Sequence, residues 1–547
     1  MKTSLKLLTI VLCLCLCLGM AACGSTGGNT PSNTGTPAGT PAPGTQPAEV
    51  GKKVLNIASI GEIDNAYPIQ MTPEEYMFMR IYADTLVTYE NGEIVPMLAE
   101  SWELTDGGCT LTFHLRGGIK FHDGEDFNSE AVKANILDMQ NSPASYSLPA
   151  VGTVTEIECP DAVTIVLHYD NPYYGLVTDF CWTDAMIMVS PKQIAAKNAG
   201  EEVKPIGTGP YAFAEYVKGG YTRFVRNESY WNGAPYYDEI VVKYIPDATS
   251  RMQALKNGEI DLIYGATEVS YDQYVQLSST AGMAGKMSPV QARNRNLTLN
   301  FNGILADTAI REAIALSIDK NAISEGMSYG YEAVADTVLT PGSLYEDECP
   351  KISYSYDPEK AAKVLESAGW VDSNGDGIRE KDGKTLTFTI VIPAESIENA
   401  NIALLLQDMF GEVGMRMEIK TLENADWFQS FYDPNGFDLT IQNTYYDYAS
   451  PTQWFGAIEY MAQATSVALL EDSETFLSMI REFKIIDDDA RLAEIFKYLV
   501  QQDQEQFLDI PLTGMMEPIV YNTARIADYN YGGCYQFFNP LWVIPVK

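Results

Sequence analysis

From residue 54 onward, stretches with the two-residue period of strands alternate with stretches that have the helical period. Residues 111–115 (LTFHL) alternate apolar and polar side chains, as a half-buried strand does. Residues 308–318 carry isoleucines on one helical face, and Asp307 is suited to cap that helix. Further helices are expected after Asp357-Pro358 and over residues 489–507. With no tandem repeat and no internal low-complexity linker, this alternation predicts mixed α/β domains that pack closely or share strands.

The first 50 residues do not share this alternation. Lys2 and Lys6 precede a short apolar run at 7–18, which is too short for a bilayer that needs roughly 20 residues. The run ends in small residues, as a secretory signal does. Residues 20–23 (MAAC) resemble a bacterial lipobox, with Met in place of the usual Leu, and the lipidated residue would be Cys23. An ordinary cleaved signal that contains cysteines is the alternative.

Residues 24–50 consist almost entirely of Gly, Ser, Thr, Pro, Ala and Asn. A Gly-rich coil of this length has a root-mean-square span of roughly 29 Å. We therefore expect a signal peptide over 1–22 and a lipidated cysteine with a flexible tether over 23–52. The remaining chain is long enough for two or three domains.

The net charge of the chain is -37. This charge argues against nucleic acid as a partner and against docking of the protein surface on anionic lipid. The acidic surface fits the solubility of an exported protein, and attraction of cationic solutes is the functional alternative. Beyond Cys23 there are five cysteines, an odd number without a CxxC pair, so buried free thiols are expected for most of Cys109, Cys159, Cys181, Cys349 and Cys534.

The sequence offers little catalytic chemistry. The only histidines, His114, His122 and His168, are scattered, so no metal site is predicted. No Gly-x-Ser-x-Gly elbow occurs. Residues 207–210 (GTGP) lack the lysine of a phosphate loop and read as a tight turn. Residues 372–377 match half a calcium loop, but position twelve is a glycine, which favours a polar turn.

Residues 438–460 are unusually rich in aromatic side chains. Beside a cleft, such a set would supply flat apolar walls for a ligand, with Asp447 as a charge partner. Core packing is the alternative. The aromatic residues concerned are Tyr445, Tyr446, Tyr448, Trp454, Phe455 and Tyr460.

Several short motifs occur in a fixed order along the chain. They are LAESW (98–102), LTFHLR (111–116), IKFHDG (119–124), PIGTGPY (205–211), RNESYW (226–231), IPDATSR (245–251), GEIDL (258–262), IREAIAL (310–316) and DPEKA (357–361). Together they resemble the family 5 extracytoplasmic solute-binding proteins of ABC importers, the peptide- and nickel-binding class. The resemblance covers roughly residues 54–547.

This resemblance implies an α/β, two-lobed periplasmic-binding-protein-like fold of type II, with mixed sheets and a ligand cleft between the lobes. The first lobe would comprise residues 53–294 and include an inserted subdomain at about 95–205. The second lobe would comprise residues 295–508, and residues 509–547 would return to the first. Hinge closure would bury the ligand.

Within the family, residues 127–135, 205–211 and 334–338 look most like the nickel-chelate branch. The ligand-contacting residues of that branch are not retained in this chain. Asp184 stands where the branch has an arginine for the chelator's carboxylate. Other ligand-contacting positions of the nickel-chelate branch are also changed. Its pocket tryptophans match Leu148 and Tyr445, its second arginine matches Ser145, and its metal-contacting histidine matches Gln463. The acidic residue that peptide binders often have in this loop is replaced by Ser450.

The change of sign at Asp184 suggests a different ligand. An anionic chelator would be repelled there, whereas Asp184, Asp447 and Glu75 would hold an ammonium or guanidinium group. We therefore expect a cationic ligand such as a short peptide or an amino-acid derivative. The apolar walls would be Tyr445, Tyr446, Trp182 and Trp454, and Gln70, Met71 and Gln536 match other cleft-facing positions.

The predicted function is that of a membrane-anchored solute-binding lipoprotein, a monomer outside the cytoplasm. It would deliver a small molecule or peptide to ABC permease subunits without catalysis, cofactor or nucleic acid. One alternative is a nickel or metal-chelate binding protein on the same fold. An alternative of another class is a solute-sensing lipoprotein that takes no part in transport.

Overall fold

The structure is a computed structural model that describes residues 51–547 with internal gaps. The predicted signal peptide and Cys23 lie outside the described residues. The internal gaps are 65–66, 69–74, 76, 91–92, 143–147, 182–185, 202, 342, 353, 395, 445–451, 459–465 and 533–536.

Residues 51–287 contain twelve described strands and six described α-helices. In chain order these are β1 (Val54–Ser59), β2 (Val87–Glu90), β3 (Glu93–Pro96), β4 (Ala99–Thr105), β5 (Thr110–Leu115), α1 (Ser129–Gln140), α2 (Pro149–Gly152), β6 (Val154–Asp161), β7 (Thr164–Tyr169), α3 (Leu176–Asp179), α4 (Pro191–Asn198), β8 (Tyr211–Val217), β9 (Tyr221–Arg226), β10 (Glu239–Tyr244), α5 (Ala248–Asn257), β11 (Leu262–Tyr264), α6 (Tyr271–Ser278) and β12 (Met283–Met287).

The remaining described elements follow from residue 293. They are β13 (Arg293–Leu299), α7 (Thr308–Ser317), α8 (Lys320–Ser328), β14 (Ala333–Val334), α9 (Pro358–Ser367), β15 (Glu380–Lys381), β16 (Lys384–Thr385), β17 (Thr387–Pro393), α10 (Ile397–Glu412), β18 (Arg416–Leu422), α11 (Asn424–Ser430), β19 (Leu439–Asn443), α12 (Thr452–Ala457), α13 (Ser473–Phe483), α14 (Asp489–Glu505), β20 (Asp509–Met515), β21 (Pro518–Asn522), β22 (Ile526–Tyr529) and β23 (Val543–Pro545).

The first lobe is built on a seven-stranded mixed sheet in the order β12-β21-β11-β1-β10-β9-β8. Its central strand β1 runs parallel to β10 and β11. Leu55 and Ile57 of that strand are fully buried. A separate four-stranded antiparallel sheet, β4-β5-β7-β6, lies between β3 and β8 in the chain, where an inserted subdomain is predicted.

The second lobe is built on a six-stranded mixed sheet in the order β14-β20-β13-β19-β17-β18. Strand β17 is parallel to both of its neighbours, and the other pairs are antiparallel. Every residue of β13 is buried. The lobe has a large apolar core that joins the sheet to helices α7, α9, α10, α13 and α14. The mixed sheets and two lobes confirm the predicted fold class.

The chain crosses between the two large sheets at residues 288–292 and 516–517. Glu517 ties the crossings together, since its carboxylate accepts hydrogen bonds from the Arg293 guanidinium and from the Ala266 amide at 2.7 Å. Its backbone also exchanges hydrogen bonds with Ser288, at 2.9 and 3.0 Å. Glu517 is only 1% exposed, so these bonds are shielded from water.

The local sequence predictions agree with these elements. The strand expected at 111–115 lies in β5, and Asp307 caps α7 by accepting a hydrogen bond from the Ala309 amide at 3.0 Å. In the calcium-like segment 372–377, the Asp372 carboxylate accepts backbone amides of Gly375 and Gly377 at 2.7 and 3.0 Å. This segment therefore forms the polar turn that the sequence favours.

Two further features of the described part of the chain are the state of its cysteines and the character of its helices. Cys109, Cys159, Cys181 and Cys349 are free thiols, the last two buried, and Cys534 lies outside the described residues. No helix in this part combines the length and apolar character that a bilayer crossing requires.

The GTGP segment is a site of close backbone approach. A Cβ atom on Gly207 would lie 2.3 Å from the Tyr82 carbonyl oxygen, so only glycine fits there. Thr208 then donates a hydrogen bond to the buried carboxylate of Asp84 at 3.0 Å. The same carboxylate accepts hydrogen bonds from Tyr230 and Trp231, also at 3.0 Å. Asp84 thereby connects two of the sequence motifs.

We expect Asp84→Ala to lower the free energy of unfolding by about 3 kcal/mol, because it leaves three buried donors without their acceptor. Urea unfolding followed by tryptophan fluorescence measures the change. The control is Asp126→Ala, whose carboxylate is 69% exposed and pairs with Lys120 at the surface. Such a surface pair contributes little, so equal losses in the two variants would contradict the role given to Asp84.

A pair of carboxyl groups is buried in the second lobe. Asp503 of α14 and Asp509 of β20 are both fully buried. Thr298 donates to Asp509. Burial raises the pKa of Asp503, and the nearby charge of Asp509 raises it further. Two neighbouring buried carboxyl groups do not readily both ionise, so we expect the pair to retain a proton in the folded chain.

The raised pKa values predict a pH dependence. The folded chain retains a proton that the unfolded chain releases near pH 4, so the contribution of this pair to stability is greatest below that pH and is lost as pH rises through the folded values. Asp503→Asn keeps a hydrogen-bond donor but removes one titrating group. We expect melting temperatures between about pH 5 and pH 8 to fall less steeply in this variant than in the wild type. Parallel profiles would rule out the retained proton.

Candidate functional site

The crossings place the cleft between the edges of the two large sheets. Strand β1 ends at Ser59 and β11 at Tyr264, and both lead into loops beside the crossings. In the second lobe, β13 starts directly after the first crossing. Antiparallel pairing of Arg295 with Asn443 brings the carboxyl end of β19 to that same edge. Ligands of open α/β sheets bind outside the carboxyl ends of strands.

At the first-lobe edge, a buried ion pair fixes the loop after β1. Glu268 accepts hydrogen bonds from the Ile60 amide at 2.9 and 3.1 Å. The Arg251 guanidinium lies 3.9 Å from the Glu268 carboxylate. It also donates to the backbone carbonyl oxygen of Glu268 at 2.7 and 3.0 Å. Arg251, part of the IPDATSR motif, therefore anchors the loop.

Glu75 lies at the same edge and is 1% exposed. Its carboxylate accepts a hydrogen bond from the Asp64 amide at 3.1 Å. Burial raises the pKa of Tyr82, and the nearby charge of Glu75 raises it further. Glu75 thus orients the loop that follows β1. Its contact with a ligand stays a prediction.

At the second-lobe edge, Arg295 is enclosed by acids. Its guanidinium lies 3.2 Å from the Glu332 carboxylate and 3.1 Å from that of Glu398. It also donates to the Asn399 side chain at 3.2 Å. Burial raises the pKa of Glu398, while Arg295 acts to lower it. The positive charge of Arg295 is therefore compensated within the protein.

Hydrogen bonds fix the end of β19. The Asn294 backbone amide donates to the Thr444 hydroxyl at 2.8 Å, and the Thr444 backbone amide donates to the Asn294 backbone carbonyl at 2.8 Å. The segment 445–451 follows directly. Trp454 of α12, beyond that segment, is half-buried and packs against the second-lobe core. Among the described residues, neither the enclosed Trp454 Nε1 nor the Asn443 Oδ1 has a hydrogen-bond partner.

Within the described part of the chain, one unpartnered donor and one unpartnered acceptor thus flank the aromatic segment. The structure describes Glu75 and Trp454 of the predicted ligand-binding residues, on the first and second lobes respectively. The others lie outside the described residues, and their roles stay predictions: Gln70, Met71, Trp182, Asp184, Tyr445, Tyr446, Asp447 and Gln536.

Some residues of the cleft were not identified from the sequence. The alternating arginines at 293 and 295 were a signal, because charged side chains in a buried strand require buried partners. Their partners Glu332, Glu398 and Glu517 are distant in sequence. The described histidines, cysteines and acids form no group of three or more that could hold a metal ion.

Comparison with known proteins adds a functional class to this geometry. A profile of the bacterial extracellular solute-binding proteins, family 5, middle region, matches residues 93–465. The nickel-binding periplasmic protein of Escherichia coli is 26% identical over 485 residues, which cover 85% of this chain and 91% of that protein. The oligopeptide-binding protein AppA of Bacillus subtilis is 24% identical over 464 residues, covering 80% and 82% respectively.

A solved structure gives the same result. NikA from Brucella suis in complex with Fe(III)-EDTA has a TM-score of 0.83 and 28% identity, covering 90% of this chain and 100% of NikA. These relatives bind solutes and are not enzymes, in agreement with the sequence prediction. The chain therefore belongs to family 5 of the bacterial extracellular solute-binding proteins, the extracytoplasmic binding components of ABC importers.

Proposed function

We propose that this protein captures a solute with at least one cationic group, a short peptide or an amino-acid derivative, and delivers it to an ABC permease. The cleft between the lobes would enclose the solute. Asp184, Asp447 and Glu75 would bind the cationic group, and the aromatic side chains near Tyr445 would form the walls.

The observation that carries this proposal is the pairing of the arginines beside the crossings. Arg251 is paired with Glu268, Arg293 with Glu517, and Arg295 with Glu332 and Glu398. An anionic ligand would have to compete with buried carboxylates for these guanidinium groups. Separating such a pair leaves a buried charge uncompensated, which is strongly unfavourable.

The overall charge supports the same preference. At a net charge of -37, the potential around the protein favours the approach of cations over anions. The carboxylate at Asp184, where the nickel-chelate branch has arginine, would act in the same direction at short range. Ionised groups that meet in a closed cleft form strong hydrogen bonds.

Binding of a metal chelate is the second candidate. Its support is the similarity to the nickel-binding periplasmic protein of Escherichia coli and to the NikA structure that contains Fe(III)-EDTA. The two candidates differ in the charge of the cargo, so one titration distinguishes them.

The proposal includes an anchor. Cys23 would carry a diacylglycerol group, and the tether would let a monomeric receptor reach its permease on the membrane surface. Two acyl chains suffice for stable attachment. Confinement beside the permease raises the effective concentration of captured solute without any new contact.

We expect a mixed tripeptide library to bind in calorimetric titration and the same library after N-acetylation to bind at least about 10-fold more weakly. Loss of one charge-assisted hydrogen bond in a closed site corresponds to about 1.5–3 kcal/mol, or roughly 10-fold or more in affinity. Asp184→Asn should weaken binding of the free-amine library to a similar degree.

The controls use the same calorimeter. Asp126→Asn changes an exposed carboxylate of the first lobe and should leave both affinities unchanged. Tight binding of Fe(III)-EDTA or of Ni(II) with histidine, with no response to the free-amine library, would reject the cationic cargo in favour of the chelate. Native mass spectrometry of protein purified from its own host would then identify the solute.

We expect Cys23→Ser to abolish lipidation and to release the protein from the membrane fraction of expressing cells. Fractionation and the intact mass of the mature chain measure this. The matched control is Cys17→Ser, which changes another cysteine of the apolar run and should leave attachment intact. If Cys23→Ser protein stays in the membrane fraction, the proposed anchor is wrong.

A further inference from the structure

Tyr174 connects the first lobe to the second away from the crossings. It lies in the loop between β7 and α3, and its amide donates a hydrogen bond to the Ile486 carbonyl at 3.0 Å. Its ring lies 6.2 Å from the Tyr345 ring and 5.8 Å, edge to face, from the Phe496 ring. The ring packs against both the core of the four-stranded sheet and the core of the second lobe.

In the second lobe, side chains that pack on one another form a socket for the Tyr174 ring. The Tyr345 ring stacks on Phe496, with centroids 5.6 Å apart and planes 16° apart. The Tyr345 hydroxyl donates to Asp489 at 3.0 Å. These contacts are internal to the second lobe, so the socket does not depend on Tyr174 for its shape.

The backbone on each side of this contact is tightly constrained. Tyr345 has a φ of 64°, a left-handed conformation that a bulky residue rarely adopts. In the first lobe, a Cβ atom on Gly175 would lie 2.3 Å from the Tyr173 hydroxyl oxygen, so the turn after Tyr174 requires glycine. The left-handed backbone of Tyr345 is strain of the kind that concentrates at functional sites.

A second contact between the lobes has a different position. Tyr329 has a φ of 54° and donates to Asp272 of the first lobe at 2.7 Å. Its neighbour Tyr331 stacks on Tyr271, which exchanges hydrogen bonds with Met516 in the second crossing at 3.0 and 3.3 Å. This contact lies beside the hinge and is able to persist when the lobes rotate.

The Tyr174 contact belongs instead to the loop after the four-stranded sheet, and neither crossing segment is part of that sheet. Rotation about the crossings must therefore break it. The loop leads through α3 to the segment that contains Trp182 and Asp184. Tyr173 and the Ala150 amide both donate to the carboxylate of Asp179, at the end of α3. These bonds hold α3 in place.

We propose that Tyr174 and the socket of Tyr345, Ile486 and Phe496 form a latch that holds the lobes closed. A ligand that fits the cleft adds to the stability of the latched state, and loss of the latch shifts the population toward the open state. The inference depends on the two-lobed fold and not on the identity of the cargo.

Residue-resolved hydrogen exchange on the ligand-free mature protein tests this latch, because the Tyr174 amide is bonded across the lobes. We expect Tyr174→Ala to accelerate exchange of that amide at least about 10-fold and to increase the radius of gyration in small-angle X-ray scattering. Tyr345→Asn, which removes the ring from the opposite lobe but tolerates the left-handed backbone, should have the same two effects.

Two further variants complete the test. Tyr174→Phe retains both ring contacts and should exchange more slowly at this amide than Tyr174→Ala. Tyr432→Ala removes a tyrosine that is 60% exposed on the second lobe and should change neither measurement. Unchanged exchange and radius in both Tyr174→Ala and Tyr345→Asn, or equal changes in Tyr432→Ala, would overturn the latch. Since no ligand is present, this failure is separate from any failure to bind a cationic cargo.

Discussion

The buried carboxylate of Glu517 is the interaction on which the two-lobed arrangement depends. It binds the Arg293 guanidinium at the start of the second lobe and the Ala266 amide of the first, while its backbone bonds to Ser288. Both crossings are thereby held at one point. A hinge motion of the lobes would therefore pivot near Glu517, and contacts remote from it would limit how far the lobes open. Tyr174 acquires its proposed role from this geometry.

Buried polar groups also give each lobe its internal order. In the first lobe, Asp84 collects donors from segments that are far apart in sequence. In the second, Arg295 is enclosed by Glu332 and Glu398. Buried polar groups require partners, so such networks resist local rearrangement. A receptor whose lobes close by rotation needs lobes that keep their internal structure, because a lobe that deforms during closure would not enclose its ligand.

Local sequence patterns predicted local structure well. The alternation at 111–115 gave strand β5, and Asp307 caps helix α7 as its position suggested. The GTGP segment was predicted as a tight turn, and the close approach of Tyr82 explains its glycines. The strand and the cap depend on neighbours within a few residues, whereas Tyr82 is distant from Gly207 in sequence and only the fold brings them together. The partner of Tyr174 was not predictable in this way, since Ile486 lies in the other lobe and nothing local to either residue encodes the pairing.

The sequence by itself determined the class of fold, the family and the two lobes, because ordered motifs and periodic apolar patterns are recognisable before any contact between distant residues is known. The change of sign at Asp184 and the aromatic walls stay predictions from the sequence. Only the tertiary structure decided which charges compensate one another. Arg293 and Glu517 share one buried site although 224 positions separate them in the chain. Coulomb interactions and burial depend on distance in space, and that distance is fixed only when the chain has folded.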